Sequence, residues 1–198
     1  MSDYSHDIFL SVKSDNTFGE WVSEIFIPLF QSYINQDIIA VCGRRAQGIF
    51  YYRNSIQPGD PWPDELRVGI ASSRVAVALC SPEYFFSDWC LTEFHSFWER
   101  GKIKNKKLLI PASIYDGDGF PTDIKDSLQF EDFSTFVIVG EGFKLTRKYS
   151  EFQEQLKAFS RRVAELVCNA PAFEEWPLIE MTVGGAPAPE VEQQTLSI

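Results

Sequence analysis

The stretch Ser81-Pro82-Glu83-Tyr84-Phe85-Phe86-Ser87-Asp88-Trp89-Cys90-Leu91-Thr92-Glu93-Phe94-His95-Ser96-Phe97-Trp98-Glu99-Arg100 decides the fold. It follows Val75 to Cys80, an uncharged, partly β-branched run that reads as a buried strand. Ser81-Pro82 is a helix-start signal: a hydroxyl able to cap free N–H groups, then a proline where no N–H is lost. Ser87 or Asp88 supplies a second start. From Trp89 the spacing is helical, so Trp89, Glu93 and Phe97 share one face. A carboxylate between two aromatics has two readings. Either its charge escapes to water at the edge of the helix, or it faces a cleft that takes a cationic group.

Outward from this stretch, strand and helix patterns alternate. His6 to Val12 reads as a first buried strand, and Thr17-Phe18-Gly19-Glu20 has capping-box spacing. Helical spacing at Val22, Phe26, Leu29 and Tyr33 contains Pro28, which should kink or divide the helix. Asp37 to Gly43, ahead of Arg44 and Arg45, fits an extra strand or a long loop. Ile49 to Arg53 has β-favouring aromatic content. Asn54 to Pro63 is dense in turn formers and carries Trp62. Asp64 to Ser72 is a short helix. Lys107 to Ile114 and Leu128 to Phe133 read as further strands, with Asp116 to Gly119 as a turn rather than a calcium loop. Ser150 and Gln153 make another capping box ahead of an amphipathic stripe from Phe152 to Leu166. This order predicts an α/β fold, flavodoxin-like, with a central parallel sheet flanked by helices on both faces. Ligands in such folds sit beyond the carboxyl ends of the strands, where Trp62 and Glu93 converge.

Composition narrows the function classes. With 198 residues, 44% of them hydrophobic, one domain buries roughly 70% of its unfolded surface without staples. A single domain over 1–170 is expected, with 171–198 as an extension that is disordered from about 184. The net charge of −10 disfavours nucleic acid and anionic membranes as partners. Cys42, Cys80, Cys90 and Cys168 lack CxxC spacing, and His6 and His95 stand alone. Neither a metal site nor a disulfide is expected, and a reducing cytoplasm is the expected location. No apolar run is expected to reach the ~20 residues of a bilayer span, and no signal peptide is expected before the first strand. Without GxGxxG or GxxxxGK[ST], an ordinary dinucleotide or P-loop site is disfavoured.

Four segments, in order, resemble a TIR (Toll/interleukin receptor) domain of the bacterial kind. His6-Asp7-Ile8-Phe9-Leu10-Ser11 is similar to the family's opening strand. Ile56 to Trp62, with Pro58-Gly59, is similar to its long loop after the second strand, the BB loop. Ser73-Arg74-Val75 through Ser81-Pro82-Glu83-Tyr84, then Ser87-Asp88-Trp89-Cys90-Leu91-Thr92-Glu93, resembles its most recognisable segment. The resemblance spans roughly 6–168. Two stretches depart from the pattern: Asp37 to Gly48 is longer than the family's usual join, and Val12 to Asp15 is not its commonest first loop.

The resemblance implies cleavage of the nicotinamide–ribose bond of NAD+ as substrate, without a cofactor. Glu93 would be the catalytic carboxylate, with Phe9, Ser11, Trp62 and Trp89 contacting substrate. It further implies partners: other TIR subunits whose BB loops complete neighbouring pockets, and a separate sensor protein as trigger. One carboxylate suffices chemically, because nicotinamide leaves as a neutral ring and needs no acid, unlike an ordinary glycosidic oxygen. Water as acceptor gives ADP-ribose, and attack from within the same molecule gives a cyclic isomer. The alternative is a non-catalytic TIR scaffold in which Glu93 is incidental. A receiver domain is disfavoured, since Ser81-Pro82 stands where its phosphoacceptor aspartate belongs.

Overall fold

The computed structural model describes residues 3–13, 17–52 and 64–176. Among these, five strands form one parallel sheet: β1 (His6–Val12), β2 (Ile49–Tyr51), β3 (Ser73–Cys80), β4 (Leu109–Ser113) and β5 (Glu131–Asp132). Their spatial order is β2-β1-β3-β4-β5, with Ser11 level with Ala78 across the central pair. The chain runs outward from β1 to β2, then returns to place β3 on the other side of β1. That reversal is the switch point at which doubly wound sheets open a crevice.

The period of two along each strand sorts the core into two layers. Ile8 and Leu10 of β1, with Val75, Val77 and Leu79 of β3, face one way. They pack on α1 (Thr17–Trp21), a π-helical turn (Val22–Phe26), α2 (Ile27–Cys42) and the long α6 (Arg147–Asn169). Phe9, Ala76, Ala78 and Cys80 face the other way. They meet α3 (Asp64–Ser72), a 3-10 turn (Pro82–Phe86), α4 (Asp88–Lys104) and α5 (Thr122–Ser127). Ser11 continues the Phe9 series. Alternation alone therefore aims its hydroxyl at the α4 layer.

Local chemistry explains where several elements begin and end. Pro28 divides the first helical stretch, falling in the opening turn of α2 just after the π segment. Asp37 to Gly43 is neither strand nor loop. It is the end of α2, closed by Gly43 at φ +66° with its N–H on Ile39 O at 3.0 Å. Helix α6 starts at Arg147 rather than at the Ser150 box. Thr146, in extended backbone, offers its hydroxyl first and accepts from Tyr149 N. The strand expected over Leu128 to Phe133 shrinks to Glu131–Asp132.

Two expectations need correcting. The stretch Phe18–Cys42 is long and apolar enough, by length and composition, to cross a bilayer. Within the fold its apolar side is used as core: Trp21, Val22, Phe26, Phe30, Ile34 and Ile38 are buried against the sheet and α6. Cys42 and Cys168 are also joined as a disulfide, with Cα atoms 5.4 Å apart. Their separation of 126 residues carries no motif. Packing of α2 on α6 brings them together, and Ser160 Oγ donating to Asp37 Oδ2 at 2.7 Å holds the same pair of helices. A loop of this length constrains the unfolded chain strongly. Reduction is expected to lower the thermal midpoint by about 5–10 °C, read by melting with and without dithiothreitol.

The far end of α4 is fixed by a buried cation. Arg100 donates to Ile70 O at 3.0 Å and Ser73 O at 3.2 Å. Its guanidinium lies 4.7 Å from the ring centroids of both Phe97 and Trp176, and burial pushes its pKa down to about 10. Phe173 meets Tyr4 edge-on, and Lys104 pairs with Glu174. Residues 171–176 therefore lie against the domain beside its N-terminal strand.

Candidate active site

Glu93 is the second-turn residue of α4, one turn after Trp89 and one before Phe97. Ser87 caps the helix, its hydroxyl accepting from Cys90 N at 3.4 Å. Ser81, by contrast, makes no side-chain cap. Tyr84 N donates to Ser81 O instead, closing the 3-10 turn that Pro82 opens. This turn and the start of α4 lie at the carboxyl edge of β3, directly beside the carboxyl edge of β1.

The carboxylate does not escape to water: Glu93 is 9% exposed. Ser11 Oγ hydrogen-bonds Glu93 Oε2, and the same serine oxygen lies 2.7 Å from Tyr84 Oη. Tyr84 Oη in turn donates to Cys90 O at 3.1 Å. Three elements thus meet in one buried polar line inside a mainly apolar layer. Desolvation raises the Glu93 pKa to about 8, against the opposing pull of the Ser11 hydroxyl. Burial keeps the Tyr84 phenol and the Cys80 thiol well above their ordinary ranges, so both are neutral at physiological pH.

The other candidate residues separate. Phe9 is 1% exposed, stacked on Phe50 with centroids 5.4 Å apart and tilted against Phe97 at 5.6 Å. It fills the core under the site and presents no surface to a ligand in this conformation. Trp89 is half-buried against the same cluster. Trp62 and the rest of Arg53 to Pro63 lie outside the described residues. Cys90 is a buried small residue, as its neighbours predict, and its carbonyl rather than its thiol enters the line. Among the described residues no group of three or more histidine, cysteine or acidic side chains is placed to hold a metal.

Sequence reasoning missed Tyr84 as part of the site. A tyrosine four residues beyond a buried strand was a usable signal, since a buried phenol needs a partner for its hydroxyl. Arg100 was missed as well, and so was Asp7, buried in β1 with Arg44 and Arg74 beside its carboxylate. Nothing in a single sequence marks a charged residue as buried.

The TIR-domain family model matches residues 44–145, just over half of the chain. This chain belongs to the TIR-domain family. The TIR domain is 32% identical over 98 residues to a Brachypodium distachyon protein named "Probable 2' cyclic ADP-D-ribose synthase BdTIR". The matched stretch covers 45% of this chain and 42% of that protein, so the chain spans less than half of the relative's length. Among solved structures, the TIR domains of "the activated Roq1 resistosome directly recognizing the pathogen effector XopQ" align with 81% of this chain and 84% of theirs. That alignment has 20% identity and a TM-score of 0.37.

Proposed function

We propose that this TIR domain cleaves the nicotinamide–ribose bond of NAD+, with Glu93 as the carboxylate that steadies the sugar. The observation carrying this reading is an acid shielded from water at the switch point of the sheet, alone there among the described residues. The name of the Brachypodium relative supports the substrate class. When the C1′–N1 bond breaks, its electron pair returns to the ring nitrogen and nicotinamide leaves neutral. The positive charge passes to the ribose, where an ionised carboxylate in a low-dielectric site stabilises it. Water then adds at C1′ and loses a proton, giving ADP-ribose. Attack from within the same molecule gives a cyclic isomer. Trp89 borders the substrate, and Trp62 reaches it from the BB loop of the same or a neighbouring subunit. Assembly of TIR subunits, prompted by a separate sensor protein, completes the pocket.

Incubating concentrated protein with NAD+ and resolving the products tests this beside Glu93→Ala. Nicotinamide release by the wild type and its loss in the variant are expected. Absence of release even from clustered protein would leave a scaffold that only recruits other TIR domains. Because the reactive form is ionised and the free acid titrates near 8, kcat/KM is expected to fall tenfold per unit as pH drops below about 8. The cationic ring of bound NAD+ favours the charged form, so the midpoint in kcat lies lower.

A further inference from the structure

We propose that Tyr84 is a positioning residue for Glu93, acting through Ser11: by claiming the serine proton it keeps the empty site's acid in its proton-bearing form. The inference rests on the reading of Glu93 as the reactive carboxylate. Its basis is a count of protons along the line Glu93 Oε2, Ser11 Oγ, Tyr84 Oη, Cys90 O. Three contacts require three protons. Tyr84 gives its own to Cys90 O, and Ser11 must then give its own to Tyr84. The remaining contact is filled only if Glu93 supplies the third. With Glu93 ionised, Ser11 turns to the carboxylate, and Tyr84 can serve either Ser11 or Cys90 O but not both. The neutral acid therefore completes one more hydrogen bond than the charged one.

The surroundings agree. Burial already holds Glu93 protonated up to about pH 8. The groups acting on it among the described residues are Ser11 from β1 and, beside it, Tyr84 from the 3-10 turn. Behind Tyr84 stand Cys80 of β3 and Cys90 of α4, both thiols. In this arrangement an empty site holds no unpaired charge. The cationic ring of an arriving substrate draws the carboxylate into its charged form, the proton leaves to solvent, and the Ser11 hydroxyl swings from phenol to carboxylate.

Removing the phenol alone takes away the bond that only the acid can complete, which makes the test sharp. Tyr84→Phe keeps the ring against Phe85 and Phe94 but frees the Ser11 proton for the carboxylate. The Glu93 midpoint should move down by about half to one pH unit. Ser11→Ala removes one charge-assisted bond from the charged form and two neutral bonds from the acid, so its net shift should be smaller than that of Tyr84→Phe. The carboxyl carbon of Glu93 is followed by NMR in glutamate-labelled full chain without NAD+, its signal assigned by loss in Glu93→Gln. The kcat/KM pH profile on NAD+ is measured in parallel. An unchanged or raised midpoint in Tyr84→Phe overturns the proposal, even if Ser11→Ala does not fold. Midpoints that shift as expected in a protein that never releases nicotinamide would uphold the proton line and sink the enzymatic reading instead.

Discussion

Glu93→Gln is expected to abolish nicotinamide release while making the protein more stable above neutral pH. The two effects share one cause. Burial raises the folded-state pKa from 4.5 to about 8, so between those values the folded chain binds a proton that the unfolded chain does not. The stability this group contributes is intact below about pH 4.5. It is lost as pH rises through 8, when the acid must ionise in place. Glutamine keeps the shape and can still hydrogen-bond Ser11, but it never ionises. Each pH unit across that window is worth about 1.4 kcal/mol, so the variant gains up to about 5 kcal/mol at pH 9 and almost nothing at pH 4. In a domain of this size that is roughly 10 °C. Melting curves at the two pH values, beside the NAD+ assay, check it. An equal gain at both would show that Glu93 is not the group responsible.

Asp7→Ala is expected to be among the most destabilising single substitutions in the chain, without any direct effect on the chemistry. The Asp7 side chain is fully buried. It accepts from Arg44 at 2.5 Å and from Gln47 N at 2.6 Å, and Arg74 Nε lies 3.2 Å away. Removing it takes the buried anion from Arg44 and from Gln47 N, while Arg74 keeps Asp3 and the Gln47 side chain, a loss of about 3 kcal/mol. The thermal midpoint should fall by about 10 °C or more, with Asp7→Asn falling less because it still accepts hydrogen bonds. Asp7 opens β1 and Ser11 nearly closes it, so the cluster sits at the opposite rim from Glu93. Activity assayed well below the midpoint should stay close to wild type.

The layered fold was legible because periodicity is a local signal. Val75 to Cys80, the Phe152–Leu166 stripe and the Asp64–Ser72 helix lie where their spacing puts them. The end of α2 was not legible, because Asp37 to Cys42 is a short apolar run that suits strand and helix equally until packing on α6 decides. The helix start at Thr146 was hidden by a capping-box spacing at Ser150 that falls inside the helix. Glu93 could be picked out from its helical face and its motif. Ser11 was named beside it through the family resemblance, but Tyr84 was not: the two are 73 residues apart, and the β1–β3 register brings them together. The Cys42–Cys168 pairing is invisible for the same reason.

The edge-on meeting of Tyr4 with Phe173 places the first and last described portions of the polypeptide at one corner. That corner lies at the pole where the strands begin, under Arg100 and away from the carboxylate. Chain continuing before Asp3 or beyond Trp176 therefore sets out from this corner, at the rim opposite Glu93. Whatever is held at that corner starts the height of β1 away from the acid.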